Sequence, residues 1–358
     1  MRARLQDAVA AAAVLAVGLA GCGTAEDDAD RNAADDGGFT IGLLLPENQT
    51  SRYEEFDRPL ITKRIEELCA DCTVEYANAQ GEALLQRQQV NAMISKGAEV
   101  LLLNAVEPHA LGSAVDTAAD AGVPVIAYDR EVEGAVSAFI TFTPDEILRL
   151  QSHALRDALG ERADGARIVR VEGPVVSPPN LWLPGLQDRA EVTMRQAARW
   201  NAESSYSIMT GAIAALGPEN IDGVFAANDA LAAGVIPALK DAGIERLPPV
   251  TGQDAELGAV QRIIEGEQYM TVYKAFPQQA DAAAEVAVAL GRDESIAHLA
   301  TERVTTDFLD DVPSILLDPI AVTAENVEDT IIRDGFYSID EICIPRYRPA
   351  CDRAGLTG

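Results

Sequence analysis

From residue 39 onward, short apolar runs alternate with longer segments in which apolar residues recur with helical spacing. Short apolar runs are typical of buried strands, whereas a 3.6-residue period is typical of amphipathic helices. The runs Phe39–Leu45, Thr73–Ala77, Val100–Asn104 and Val123–Tyr128 are each separated by one helical segment. Strands that alternate with helices predict a parallel sheet with right-handed crossovers, which is an α/β fold.

The alternation of strand and helix starts again after Phe142, with no Pro-rich or Ser-rich linker before it. Predicted strands of this second series include Arg167–Glu172, Gly223–Ala227 and Met270–Tyr273. Two similar α/β units without a loose linker predict two lobes joined by a hinge, which takes up the backbone change when lobes close on a ligand. From His298 the periodicity weakens, and we interpret this stretch as a tail that lies over the lobes.

The N-terminus has the pattern of an export signal. Arg2 and Arg4 precede the apolar segment Ala8–Leu19, which is too short to span a bilayer comfortably. The sequence Leu19-Ala20-Gly21-Cys22 that follows resembles the bacterial lipobox, in which the signal is removed before the cysteine and lipid is attached to its thiol. An ordinary signal peptide with an incidental cysteine is the alternative.

The lipobox resemblance implies a lipoprotein signal peptide at residues 1–21 and a lipid on Cys22, which would hold the protein at the extracytoplasmic side of the cell membrane. Residues 22–38 are rich in Asp, Ala and Gly and show no apolar period. This composition predicts a disordered tether between the lipid and the folded part of the chain.

The charge balance restricts the ligands that the chain can bind. The sequence has 28 Lys and Arg against 57 Asp and Glu, and its formal net charge is −29. Nucleic-acid binding needs clustered basic residues, so this balance argues against a nucleic-acid partner. The same field disfavours an anionic ligand unless a local Arg cluster overrides it.

Apart from Cys22, the cysteines are Cys69, Cys72, Cys343 and Cys351, and an even number in an exported chain indicates disulfides. Of the three possible pairings we favour the local one, Cys69–Cys72 and Cys343–Cys351. A redox-active Cys-x-x-Cys pair and a four-cysteine zinc site are the alternatives. The first pair lies between a helix and a strand rather than at the start of a helix, and the spacing of the second pair is long for zinc.

Several predicted strands end in polar residues. The pairs Asp129-Arg130, Asn228-Asp229 and Gln253-Asp254 each follow an apolar run, as does Lys274. Ligands of open α/β sheets bind beyond the carboxyl ends of the strands, so these groups predict a site for a small, neutral ligand rich in hydroxyls. The sequence has no combination of nucleophile, base and acid at these ends and no phosphate-binding loop, so we expect a protein that is not an enzyme and uses no cofactor or metal.

Five stretches of the chain resemble periplasmic sugar-binding proteins of ABC importers, and the D-xylose-binding proteins most closely. The resemblance is strongest in TGQDAELGAVQRIIEGEQYMTVYKAF, and it extends from Phe39 to Phe336. The stretches are Ile41–Ile61, Pro124–Arg130 (PVIAYDR), Val224–Leu239 (VFAANDALAAGVIPAL), Thr251–Phe276 and Asp310–Phe336.

The resemblance implies a type I periplasmic binding protein, which has two doubly wound parallel-sheet lobes joined by a multi-strand hinge. The sugar of such proteins lies between the lobes. The implied boundaries are lobe 1 at residues 39–142 and 273–308, lobe 2 at residues 143–272 and 309–345, and a C-terminal tail at residues 346–358.

The resemblance also implies which residues contact the sugar. Carboxylates accept hydrogen bonds from hydroxyls, Arg donates in a fork, and Asn does both. An aromatic plate suits the apolar face of a pyranose ring. The implied ligand-binding residues are Arg52, Tyr53, Asp129, Arg130, Asn180, Trp200, Asn228, Asp254 and Lys274.

Each assignment has a structural alternative. Asp129 and Arg130 could form a surface ion pair, Trp200 could belong to the core, Tyr53 could be a solvated loop residue, and Lys274 could bridge the lobes without contacting sugar. In the Asn228-Asp229 pair, we assign the helix N-cap to Asp229 and the ligand contact to Asn228.

One stretch departs from the family pattern. The xylose-binding proteins have Asp-Asn-Asn after the first strand of the second lobe, where this chain has Pro178-Pro179-Asn180. An acidic ligand group is therefore lost, and we expect this loop to decide which sugar is bound.

The resemblance implies that the protein captures a monosaccharide, D-xylose or a related aldose, and delivers it to an ABC permease and its ATPase. A membrane-anchored sugar sensor that acts on a signalling partner is the alternative. A thiol oxidoreductase based on Cys69 and Cys72 is a weaker one.

Overall fold

A computed structural model describes residues 37–174, 183–186 and 188–356 of the chain. The predicted signal peptide, the predicted lipidation site Cys22, nearly all of the predicted tether, and the Pro178-Pro179-Asn180 loop lie outside the described residues. The described residues from Gly38 onward form one compact unit.

The described residues alternate between strands and helices, as the apolar pattern predicts. The strands are β1 (Thr40–Leu45), β2 (Thr73–Asn78), β3 (Val100–Leu103), β4 (Val125–Tyr128), β5 (Ala138–Phe142), β6 (Arg167–Glu172), β7 (Glu191–Gln196), β8 (Gly223–Ala226), β9 (Thr271–Tyr273), β10 (Glu302–Val304), β11 (Val312–Leu317) and β12 (Ile320–Val322). The α-helices are α1 (Arg58–Leu68), α2 (Ala83–Ser95), α3 (Pro108–Asp120), α4 (Pro144–Leu159), α5 (Ala202–Leu216), α6 (Asp229–Asp241), α7 (Leu257–Glu265), α8 (Phe276–Gly291), α9 (Ile339–Ile342) and α10 (Arg348–Ala354).

The first sheet has seven strands in the order β10-β11-β5-β4-β3-β1-β2, and all neighbours are parallel except β10 and β11. Ile41, Leu43 and Leu45 of β1 face a core shared with α1 and α8. Leu44 faces the opposite side, where α2 and α3 cover the sheet. Since both faces are covered by helices, the strands are continuous apolar runs, as is typical of parallel sheets.

The second sheet is built around β7-β6-β8, which are parallel. The segment from Val250 to Gln253 extends it through single bridges, because Val250 pairs with Val224 of β8 and Gln253 pairs with Val272 of β9. The strand β12 runs antiparallel to β9 at the far edge. Helices α5 and α6 cover one face of this sheet, and α4 packs against the other.

The chain passes between the two sheets three times. It leaves the first sheet after β5, returns after β9, and leaves again between β11 and β12. The prediction that the chain returns to lobe 2 at residue 309 is wrong, since β11 pairs with β5 through Ser314 and Phe139. The last crossing is therefore at Leu317–Ile320.

The interpretation of the region after His298 as a draped tail is also wrong for its first part. β10 and β11 extend the first sheet, and β12 extends the second. Strand β5 was not predicted at all. β10 and β12 have only three residues each, which is too few for a period to be recognised.

The C-terminal segment packs on α7 through helices α9 and α10. The structure contains the disulfides Cys69–Cys72 and Cys343–Cys351, which is the pairing that the sequence favours. Cys343 and Cys351 are fully buried and close the C-terminal segment upon itself.

Asn228, and not Asp229, is the N-cap of α6, so the assignment made from the sequence is corrected. Its backbone is extended, with φ −146° and ψ 176°, and its side chain accepts a hydrogen bond from the Leu231 amide at 3.0 Å. Either residue type suits an N-cap, and only the backbone conformation decides between them.

Asp229 is instead a fully buried carboxylate. It accepts hydrogen bonds from Gln268 Nε2 and Thr271 Oγ1, both at 2.7 Å, and from the Glu256 amide at 3.1 Å. Burial raises the pKa of Asp229 to about 7, although Arg262 and these donors oppose it. Burial, together with the charges of Asp229 and Asp254, raises the pKa of Glu256 to about 8.

We predict that the unliganded protein becomes less stable as the pH rises from about 5 to about 8. In the unfolded chain Asp229 and Glu256 lose their protons near pH 4, whereas the folded chain retains them up to pH 7 to 8. The raised pKa values therefore stabilise the fold at low pH, and this contribution is lost as the pH passes through them. The melting temperature measured across this range tests the prediction, with the double variant Asp229→Asn/Glu256→Gln as control. A slope that is equally steep in the variant would contradict it.

Candidate functional site

Four charged side chains from different elements meet where the strands end. Arg52 Nη1 lies 2.8 Å from Asp129 Oδ1, and Lys274 Nζ lies 2.8 Å from Asp254 Oδ1. Two longer contacts complete the group, Lys274 Nζ to Asp129 Oδ1 at 3.4 Å and Arg52 Nη1 to Asp254 Oδ1 at 3.8 Å. Asp129 follows β4 of the first sheet, and Asp254 pairs through its amide with β9 of the second sheet. The charges therefore connect the two sheets.

These charges are almost entirely removed from solvent. Arg52 is 1% exposed, Lys274 3% and Asp254 4%. Burial alone would raise the pKa of Asp129, but the charges of Arg52, Lys274 and Arg130 outweigh it and hold that pKa well below its usual range. The pKa of Arg52 lies well above its usual value, because Asp129 and Asp57 outweigh the effect of burial. Both groups are therefore ionised at neutral pH.

The two aspartates occupy a backbone region that favours glycine. Asp129 has φ 64° and Asp254 has φ 93°. The fold holds them there through the Asp129 amide, which donates to Ile140 O at 2.8 Å, and the Asp254 amide, which donates to Val272 O at 2.9 Å. Strain of this kind in non-glycine residues is concentrated at functional sites.

Arg130 lies between the two aromatic residues that the sequence analysis singles out. Its Nη2 donates to Tyr53 Oη at 3.1 Å, and its guanidinium carbon lies 5.8 Å from the ring centre of Trp200. Tyr53 is only 3% exposed, so it is not a solvated loop residue. Asp129 and Arg130 do not form a surface ion pair either, since Asp129 pairs with Arg52 and Lys274 in the interior.

Trp200 combines a core contact with an unsatisfied donor. Its ring lies directly against Gly173, where an added Cβ would be only 2.2 Å from the ring. It also packs at the edge of the core formed by α5 and α6. Its Nε1 is buried and has no hydrogen-bond partner among the described residues. The indole can therefore pack against the core on one side and contact a ligand on the other.

Asn228 retains a free donor although it caps α6. Its Oδ1 is used by the cap, but its Nδ2 makes no hydrogen bond to the described residues. Because Asn228 lies directly after β8, this amide is at the same sheet edge as the other strand ends.

Two polar residues at this edge were missed by the sequence analysis. Asn104 follows β3 and is fully buried, yet within the described part of the chain neither Oδ1 nor Nδ2 has a hydrogen-bond partner. Glu47 follows β1 and is 5% exposed, with an unpartnered Oε1. Buried polar atoms are nearly always paired, so these atoms suggest contacts with a bound molecule. The sequence did contain a signal for both residues, because each is a polar residue that comes shortly after an apolar run.

The described residues contain no group of three or more His, Cys, Asp or Glu arranged to hold a metal ion. Among the same residues, no helix is both long enough and apolar enough to cross a membrane.

Comparisons with known proteins agree with this architecture. Residues 41–295 match the model of the periplasmic binding protein domain. The D-xylose-binding periplasmic protein of Haemophilus influenzae is 32% identical over 313 residues, which cover 84% of this chain and 91% of that protein. The protein of the same name from Escherichia coli is 33% identical, with coverages of 84% and 92%.

A more distant relative is the multiple sugar-binding periplasmic receptor of Rhizobium radiobacter, at 27% identity over 87% of this chain and 93% of that protein. Among solved structures, an ABC transporter solute-binding protein from Clostridium phytofermentans with bound β-D-glucose superposes with a TM-score of 0.70 at 23% identity. The match covers 85% of this chain and 99% of that one, and at this identity it establishes the fold.

The match to the family model spans more than half of the chain, and relatives above 30% identity align with most of it. The chain therefore belongs to the periplasmic binding protein family, among the sugar-binding, solute-binding proteins of ABC transporters, which are not enzymes.

Proposed function

We propose that this protein binds one neutral monosaccharide between its two sheets and delivers it to an ABC importer. The observation that carries the proposal is the meeting of Asp129, from the first sheet, and Asp254, from the second, on Arg52 and Lys274. Groups from both sheets can contact the same small molecule only at such a junction.

The chemistry of the site suits a sugar. The carboxyl groups of Asp129 and Asp254 can accept hydrogen bonds from hydroxyls, whereas Arg52 and Arg130 can donate to ring and hydroxyl oxygens. Tyr53 and Trp200 provide apolar surfaces for the C–H faces of the ring. A dry, buried site strengthens each of these polar contacts.

D-xylose or a related aldose is the ligand that the relatives favour. Two relatives above 30% identity are named for D-xylose, whereas two others, at 27% and 28% identity, are named for multiple sugars. We infer that Asn180 also contacts the sugar, and that the Pro178-Pro179-Asn180 loop adjusts the choice among similar aldoses.

The protein is proposed to act at the membrane surface, anchored by lipid on Cys22 after removal of residues 1–21. The sequence Leu19-Ala20-Gly21-Cys22 supports this, as does the tether that follows it. An anchor keeps the binding protein close to the permease, which raises its effective concentration there.

Calorimetric titration of the soluble form, lacking residues 1–22, is expected to give saturable binding of D-xylose. D-ribose, D-glucose and L-arabinose form the comparison panel, because they differ from D-xylose in size or in hydroxyl configuration. If none of the four sugars binds, the proposed function fails. Binding of another sugar in preference to D-xylose would retain the function and correct the ligand.

Asp254→Asn is expected to weaken sugar binding by about 10- to 100-fold, because it replaces a charged acceptor by a neutral one. The variant also leaves Lys274 with Asp129 alone, so a moderate fall in the unliganded melting temperature is expected. Asp164→Asn is the matched control, since Asp164 is 70% exposed and pairs with Arg189 at the surface. Equal affinity of the Asp254 variant and the unmodified protein would remove Asp254 from the site.

Cys22→Ser is expected to release the protein from the membrane fraction, because the lipid is attached to this thiol alone. Metabolic labelling with a radioactive fatty acid and membrane fractionation measure the effect, with Cys69→Ser/Cys72→Ser as the control that keeps the label. Label that persists in the Cys22 variant would disprove the anchor.

A further inference from the structure

Asp57 is a buried carboxylate that none of the preceding assignments explains. It is 0% exposed and forms an ion pair with Arg52. Its Oδ2 accepts from Arg52 Nε at 2.8 Å, and its Oδ1 accepts from Arg52 Nη2 at 3.2 Å and from Tyr128 Oη at 2.5 Å. Donors reach both oxygens, and two of them belong to the positively charged Arg52 guanidinium, which favours the ionised carboxylate.

The contact between Asp57 and Arg52 depends on an unusual helical turn. Residues Tyr53–Asp57 are π-helical, and the Arg58 amide donates to Tyr53 O, five residues back. In an α-helix, side chains five residues apart point about 140° away from each other, at about 100° per residue. The wider π-helical turn places the Arg52 and Asp57 side chains on the same side of the helix, where a bidentate ion pair can form. Single π-helical turns are frequent at functional sites.

Counting donors shows how far Arg52 is fixed. A guanidinium has five N–H groups. Nε and one Nη2 hydrogen bind Asp57, the other Nη2 hydrogen binds Gln279 Oε1 at 3.0 Å, and one Nη1 hydrogen binds Asp129. The guanidinium carbon also lies 4.2 Å from the ring centre of Phe276. The second Nη1 hydrogen has no hydrogen-bond partner among the described residues, and Nη1 lies 3.8 Å from Asp254 Oδ1.

Asp57 also changes the charge of the site. In the cluster around Arg52 and Asp129, the cations are Arg52, Arg130 and Lys274, and the acidic groups are Asp57, Asp129 and Asp254. Glu47 is a further acidic group at the same edge. Burial raises the pKa of Asp57, and Arg52 and Tyr128 oppose this. Loss of the Asp57 charge would make the cluster one unit more positive in a region where water does not screen it.

We propose that Asp57 is a positioning residue that aims the single free N–H of Arg52 at the ligand and sets the site to prefer neutral sugars over sugar acids. The proposal rests on the proposed function and adds the charge preference of the site to it. Gln279 shares the positioning role but contributes no charge, so the two residues can be separated by experiment.

The test measures dissociation constants of D-xylose and D-glucuronate by calorimetry. The two sugars share ring and hydroxyl configuration, and the second adds a carboxylate. Asp57→Asn is expected to weaken D-xylose binding about tenfold and to shift the ratio of the two affinities about tenfold toward D-glucuronate, because the added positive charge attracts the carboxylate.

Gln279→Leu is the matched control. It removes one acceptor of Arg52 without changing the charge, so both sugars should weaken equally and the ratio should stay constant. The double variant Asp57→Asn/Gln279→Glu returns a carboxylate to Arg52 Nη2 and should restore the ratio. Gln279→Glu alone should shift the ratio away from D-glucuronate, and this variant tests the proposal even if Asp57→Asn does not fold.

An unchanged ratio in both charge variants would overturn the proposal and make Asp57 a purely structural residue. That result would leave the proposed function intact, because the unmodified protein would still bind D-xylose. If the unmodified protein binds neither sugar, both this proposal and the proposed ligand fail.

Discussion

The buried guanidinium of Arg52 is the constraint on which the site depends. A charge with 1% exposure must be paired, because an isolated ion in the interior costs several kcal/mol even after relaxation. Its partners come from distant parts of the chain: Asp57 from the adjacent turn, Asp129 from the first sheet, Gln279 from α8 and Asp254 from the segment beside β9. Because these partners belong to both sheets, pairing the Arg52 guanidinium fixes how the two sheets approach each other.

Much of the fold and part of the site could be predicted from the sequence. The strands β1, β3 and β4 are continuous apolar runs, and a fully covered parallel sheet requires such runs. Asp129, Asp254 and Lys274 could be predicted because ligand groups of this architecture follow the strands directly. Their meeting at distances below 4 Å needed the structure.

Other features depend on tertiary context that a linear pattern does not contain. β10 and β12 have three residues each and are strands only because a neighbouring strand pairs with them. The pairing of Arg52 with Asp57 requires a π-helical turn, and local periodicity favours an α-helix there. The choice of Asn228 over Asp229 as N-cap depends on one pair of backbone angles, since both residue types cap helices well.

The three connections between the sheets have a mechanical consequence. They lie side by side, because β5 pairs with β11 and β9 pairs with β12, and the Thr143 amide ties the first connection to Leu317 of the third. A single connection would let one sheet move relative to the other in several directions. Three adjacent connections resist twisting and sliding of the two sheets, and rotation about one axis is the motion that they leave. Lys274 lies on the connection after β9, so the ammonium group that contacts both Asp129 and Asp254 lies close to this rotation axis.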